Sequence, residues 1–220
     1  MEATDYRAPF REYAEAIYEL EEGEIEVIQA RIAEWLGVSR AGVSDTVHRM
    51  ALDGLVTIGD EIHLTTEGRH LAEVVVRRHR LAERFLSEVL RLPWVKVHDE
   101  AAVWEHFVSA DVEQAMWEVL GRPQTCPHGN PIPGAGYRPP KMMPLAELEA
   151  GRRLRLERIA EELELDPEIM RFLDEAELRP GAGVEVVHRT PDDTLTVRVN
   201  GDASVGVGPF MAERLFLAIS

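Results

Sequence analysis

Cysteine is almost absent from this chain: Cys126 is the only one in 220 residues. An intramolecular disulfide is excluded, and a reducing compartment fits. Long apolar runs are missing as well. No stretch approaches the roughly 20 residues that a membrane span needs. The start, MEATDYRAPFREY, lacks the basic opening and apolar core of a signal peptide, so a cytoplasmic location without a membrane partner is expected. Basic charge is scarce: 24 Lys and Arg face 40 Asp and Glu, a formal net charge of −16. Affinity for phosphates comes from Lys and Arg releasing counterions, so this balance speaks at first against DNA binding. Between residues 29 and 58, however, Arg31, Arg40 and Arg49 stand against Glu34, Asp45 and Asp53, and the segment is locally neutral. The excess acid lies elsewhere, where it can serve divalent cations. Also missing are the GxSxG, HExxH, P-loop and dinucleotide signatures, any internal repeat and any low-complexity tract. A metal-dependent hydrolase would need an open coordination position beside a substrate cleft, and nothing in the sequence indicates one.

The chain does have, at 45% hydrophobic and 29% charged residues, enough apolar matter to bury a core in two or three small domains. IQARIAEWLGVSRAGVSDTVHRMALDGLV is its clearest segment. Ile32, Ala33 and Leu36 keep helical spacing, Gly37 ends that helix, and Ser39 suits an N-cap. Val43, Val47 and Met50 then line a second helix that stops before Gly54. Two short helices joined by three or four residues form a helix-turn-helix. The β-prone runs around Gly59-Asp60 predict a hairpin, placed as a wing, before a helix restarts at Thr66 or Glu67. Helix continues to about Leu120 with a break near Leu92-Pro93, and its wide apolar stripes suggest a dimer interface. Seven of the 13 prolines fall between residues 123 and 144, which marks a linker. RLRLERIAEE, GVEVVHR, TLTVRV and SVGVG alternate like strands, with a short helix around 166–175, and predict a small β-barrel.

His79 and Glu83, four apart on a helix, point to one face and can share a metal ion. The same spacing also serves a plain surface hydrogen bond or ion pair. His98, Glu105 and His106 fall at i, i+7 and i+8, again on one face, and two such faces can converge. Imidazole and carboxylate suit Mn, Fe, Ni, Co or Zn over Ca or Mg, and no thiolate is available to them to favour a soft ion. Glu12 and Glu15 add carboxylates on the first helix.

RHRLAER around His79, WEHFVSADVE around His106 and TCPHGNPIPG from Thr125 to Gly134 together resemble the diphtheria toxin repressor and manganese transport regulator family, over nearly the whole chain. The resemblance implies a mainly α protein with small β parts. A winged helix would span residues 1–72, a helical metal-binding and dimerisation domain 73–122, a proline-rich linker 123–144, and an SH3-like, FeoA-like β-barrel 145–220. It implies a homodimeric, metal-dependent repressor of metal homeostasis genes acting on an inverted-repeat operator in double-stranded DNA. One metal site would use His79, Glu83 and His98. By register from FLDEAELRPG, ligands from the SH3-like domain would fall at Glu168 and at Leu165, with Glu164 or Asp166 adjacent. The other site would use Glu105, His106, the Ala102 backbone carbonyl and Glu12, and Glu15 matches an acidic ligand of the manganese-type members. Iron-responsive members carry methionine and cysteine at the Glu12 and Ala102 positions. Oxygen at Glu12 and the loss of sulfur favour Mn(II), with Fe(II) the alternative and other divalent transition metals able to substitute. Ser39, Ala41 and Asp45 occupy base-reading positions. Arg31, Arg40, Ser44 and Arg49 suit phosphate contacts. The Asp45 carboxylate can accept from cytosine N4, unless it faces solvent or pairs with Arg49. A winged-helix regulator of an organic effector, with these His and Glu residues purely structural, is the remaining rival.

Overall fold

The structure, a computed structural model, describes residues 6–201 and 204–219. Its amino-terminal unit contains α1 (Ala8–Glu22), α2 (Gln29–Leu36), α3 (Arg40–Leu52) and the hairpin β1 (Val56–Ile58) with β2 (Ile62–Leu64). Local chemistry sets these boundaries. Gly37 closes α2 at φ +63°, a left-handed position that favours glycine, and the Ser39 hydroxyl caps α3 by accepting from the Gly42 N–H at 3.2 Å. Phe10, Ile17, Ile32, Val43, Met50 and Leu55 bury into one core beneath these elements.

The backbone of the molecule is α4 (Thr66–Glu88), 23 residues or about 34 Å of helix. Its first half, Leu71, Ala72 and Val75, packs into the amino-terminal core. Its last part, Leu81, Ala82 and Leu86, packs into a second core with α5 (Val97–Trp104), α6 (Ala110–Val119) and Ile132. Between these apolar stretches lie Arg78, His79 and Arg80, with Glu83 one turn further on, all buried. A polar belt therefore crosses the interior where two cores meet. The expected break near Leu92-Pro93 is present as a single 3-10 turn over Trp94–Lys96. A second break follows Trp104, and Ser109 caps α6 by accepting from the Val112 N–H.

The carboxy-terminal part is an antiparallel sheet ordered β3-β8-β4-β5-β6-β7, an SH3-like arrangement. The strands are β3 (Met142–Pro144), β4 (Arg153–Ile159), β5 (Gly183–Arg189), β6 (Leu195–Val199), β7 (Ser204–Val207) and β8 (Leu215–Ala218). Short helices α7 (Glu161–Glu164) and α8 (Pro167–Glu175) follow β4, and α9 (Pro209–Ala212) precedes β8. The proline-rich segment is no free linker. Cys126, His128, Asn130 and Ile132 are buried, and the His128 carbonyl accepts from the Ile159 N–H at 2.9 Å. The register of β4 against β8 shifts between Leu156 and Arg158, and Gly129 seats against this bulge. A Cβ at Gly129 would stand 2.1 Å from the Glu157 carbonyl oxygen, and its φ is +91°, so only glycine fits there. The loop that looked like a spacer is held by this approach so that it faces α4.

Candidate metal centre and DNA-facing helix

The His79 ring lies between two acidic clusters. Its Nδ1 is 2.6 Å from Glu105 Oε2 and 3.8 Å from Glu15 Oε1. Its Nε2 is 3.5 Å from Glu83 Oε1 and 3.2 Å from His98 Nδ1. His98 Nδ1 in turn approaches Glu83, Glu164 and Glu161 at 3.5, 3.4 and 3.6 Å. His128, which the sequence reading left unassigned, comes from the proline-rich loop to 3.2 Å from Glu83 and 2.6 Å from Glu164. Cys126 Sγ sits 3.9 Å from His128 Nδ1, and Cys126, His128 and Glu83 offer ligand atoms within 4.8 Å of one another. A thiol is therefore available to this cluster after all.

His98 and Glu105 both face α4 and meet opposite nitrogens of His79, and Glu105, just past the end of α5, keeps helical backbone angles. Other expectations need correction. Glu168 stands apart, 79% exposed and 2.6 Å from Arg171. Leu165 faces the cleft without a ligand atom, and Asp166 instead caps α8. The acids that α7 turns inward are Glu161 and Glu164, three apart on one turn. Glu12, Ala102 and His106 line a common cleft with Glu15 and Glu105. Glu12 is exposed at its rim, and His106 Nδ1 is 3.7 Å from Glu105 Oε1. Because α5 stops at Trp104, the Ala102 carbonyl belongs to the last turn, whose carbonyls lack the usual helical donors.

Electrostatics shows what this arrangement lacks. Glu83 Oε1 and Oε2, Glu15 Oε1, Glu161 Oε1, Glu164 Oε2, His128 Nε2 and His106 Nδ1 are buried without a hydrogen-bond partner. Such orphaned atoms are costly, and converging on each other they fit a cation. Burial alone would lower the His98 pKa, but the nearby Glu164 and Glu83 carboxylates outweigh it and push it up to about 10. His79 is likewise held well above its ordinary range, burial being overcome by Glu105 and Glu83. Burial and the neighbouring Glu105 raise Glu15. Glu83 goes the other way: burial would raise it, and the charge of His128 holds it well below. A raised His pKa stabilises the protein fully below the ordinary His value and loses that contribution as pH rises through the folded value, about 10 for His98. Metal ligation needs neutral imidazole, so uptake releases protons and the apparent metal affinity rises with pH. Calorimetry in buffers of different ionisation enthalpy measures this. A pH-independent affinity without proton release would contradict it.

On the helix-turn-helix, Arg40, Ala41, Asp45 and Arg49 of α3 are exposed, as is Arg31 of α2. Arg31 pairs with Glu34 at 2.8 Å, and the Ser39 hydroxyl serves as the α3 cap. Ser44 is half-buried, with its carbonyl 2.7 Å from His48 Nδ1. Among the described residues, Asp45 forms no ion pair with Arg49 or any other group.

A winged helix, a helical unit with buried His and Glu clusters, and an SH3-like sheet define a metal-responsive DNA-binding protein. Comparison with known proteins agrees part by part. Residues 8–64 match the iron-dependent repressor amino-terminal DNA-binding domain, 65–134 the iron-dependent repressor metal-binding and dimerisation domain, and 143–218 the FeoA domain. The chain belongs to the iron-dependent repressor family. It is 40% identical over 213 residues to the iron-dependent repressor IdeR of Mycobacterium tuberculosis, covering 91% of this chain and 92% of that one. Identity to the diphtheria toxin repressor of Corynebacterium diphtheriae is 39% over 200 residues, covering 86% and 88%. A solved manganese-dependent transcriptional repressor in complex with manganese superposes with a TM-score of 0.86 at 32% identity, covering 95% of this chain and 99% of that one. These relatives are transcriptional repressors, which are not enzymes, and the hydrolase reading falls away.

Proposed function

We propose that this chain is a homodimeric, metal-dependent transcriptional repressor in the cytoplasm, responsive to Mn(II) and acting on inverted-repeat operators of metal homeostasis genes. The carrying observation is the set of orphaned carboxylate and imidazole atoms around His79. His79, Glu83, His98, His128, Glu161 and Glu164 would hold one cation, with Cys126 beside them. Glu12, Glu15, Glu105, His106 and the Ala102 carbonyl would hold a second. When bound, the metal supplies positive charge that replaces protons and ties the segments bearing these ligands together.

The oxygen-rich cleft of Glu12, Glu15 and Glu105, with no sulfur at Ala102, favours the hard Mn(II) ion. Fe(II) is the second reading, and the observation favouring it is Cys126 beside His128. That thiol is pushed up to about 12, by burial and then by the Glu83 charge, and would have to give up its proton to serve as a ligand. The dimer surface would use Val89, Leu90, Val103, Phe107, Val112 and Val119, large apolar side chains exposed on α4–α6 and their ends.

Metal would bind better to the arrangement whose two winged helices match successive major grooves, and would raise DNA affinity by that difference. Glu12 joins this cleft from α1, a helix of the DNA-binding unit. Glu12→Ala is therefore expected to remove the Mn(II)-dependent gain in DNA affinity, about 5- to 150-fold for such couplings, while light scattering still shows a dimer. Gel shift with a duplex selected from a random-sequence pool reads the gain. A variant that Mn(II) still activates fully would contradict this linkage.

A further inference from the structure

Arg80 is fully buried in the middle of α4, and its guanidinium joins three other segments. Nη1 donates to Glu22 Oε1 at 3.0 Å and to the Pro131 carbonyl at 2.5 Å. Nη2 donates to Glu22 Oε2 at 2.6 Å and to Glu161 Oε2 at 3.0 Å. Glu22 is the last residue of α1, Pro131 lies in the loop that carries His128, and Glu161 opens α7. Glu161 is divided between two partners. Oε2 rests on Arg80, while Oε1 is buried without a hydrogen bond and faces His98 Nδ1 at 3.6 Å.

We propose that Arg80 is a positioning residue that carries occupancy of the cluster around His98 and Glu161 to the end of α1, and from there to the helix-turn-helix. The inference rests on the metal-dependent reading above. A carboxylate whose free oxygen is ligated has a fixed plane. The guanidinium is a planar, rigid fork, so fixing Glu161 fixes the direction of the donors that hold both oxygens of Glu22. Glu22 sits where α1 gives way to the turn leading into α2. The Arg80 side chain is 1% exposed and Glu161 5%, with Glu22 19%, so water competes little for the guanidinium and the two acids are coupled through it. A lysine, a point charge with no planar fork, could keep the charge but could not hold both carboxylates and the carbonyl in one orientation.

Amide hydrogen exchange of the full chain with and without Mn(II) tests this. In the wild type, Mn(II) is expected to slow exchange around residues 79–106 and also over residues 18–36, the latter by about 5- to 150-fold. Glu22→Gln keeps the shape and is no candidate ligand. It should take up Mn(II) with wild-type stoichiometry by calorimetry and keep the slowing over 79–106, yet lose it over 18–36 to below about twofold. Arg80→Lys should lose it in the same place. Wild-type slowing over 18–36 in Glu22→Gln would overturn the relay. So would loss of Mn(II) uptake in that variant, which would make the ion pair part of the site's own scaffold. A wild type that shows no Mn(II) effect anywhere would instead overturn the metal-dependent reading itself, a separate failure.

Discussion

His79→Ala is expected to lower Mn(II) affinity by roughly 100-fold or more, beyond the 10- to 100-fold typical of changing a group that only supports a ligand. The size of the effect follows from position. His79 presents Nδ1 to Glu105 and Glu15 and Nε2 to Glu83 and His98, so one substitution opens both clusters. The metal-free protein suffers as well. Removing the ring leaves the buried Glu105 without its close imidazole partner at 2.6 Å, and breaking such a buried pair costs on the order of 3 kcal/mol. Urea unfolding without metal separates this cost from the binding loss, and His79→Gln, which keeps a polar side chain, controls for misfolding. A calorimetric Mn(II) heat with wild-type affinity in both variants would make the imidazole structural and return the organic-effector reading to consideration.

Phe107→Glu is expected to convert the dimer to monomer at micromolar concentration. Phe107 is 84% exposed in the single chain, just beyond α5, and Val103 and Val119 of the neighbouring helices are also largely exposed. A large aromatic at the centre of an interface contributes about 2 kcal/mol or more, roughly 30-fold in dissociation constant, and a buried unpaired carboxylate adds its own desolvation cost. Light scattering should fall from twice the 24.8 kDa chain mass to that mass. Metal uptake per chain should persist, because Phe107 supplies no ligand. A variant that remains dimeric would place the interface elsewhere.

The winged helix was legible in the sequence because its boundaries are local: Gly37 and Ser39 mark the turn by backbone chemistry alone. The metal centre was legible only in part. His79, Glu83, His98 and Glu105 carry helical spacing, and the structure brings them together. Glu161 and Glu164 lie on a four-residue helix, too short for periodicity to reveal a face. The register carried from downstream pointed to Glu168 and reached Glu164 only as a neighbour of Leu165, and it left Glu161 out. His128 and Cys126 sat in a proline-rich run whose composition reads as a spacer. Their burial comes from β4, about 30 residues on, through the seat of Gly129 against Glu157. The imidazole inside TCPHGNPIPG was the available signal. The break after Trp104 was missed because WEHFVSADVE keeps apolar residues through a region where the chain turns, and only the Ser109 cap marks the restart.

The most direct measurement of the central claim is the affinity of the wild-type dimer for a pool-selected duplex, by fluorescence anisotropy, as Mn(II), Fe(II), Co(II), Ni(II) and Zn(II) are titrated against a chelated control. The account predicts weak binding in chelator and a rise of about 5- to 150-fold with metal. Mn(II) should act at the lowest free concentration relative to its intrinsic binding strength, and Glu12→Ala should show no rise. DNA affinity that is the same in chelator and in saturating Mn(II) would contradict it.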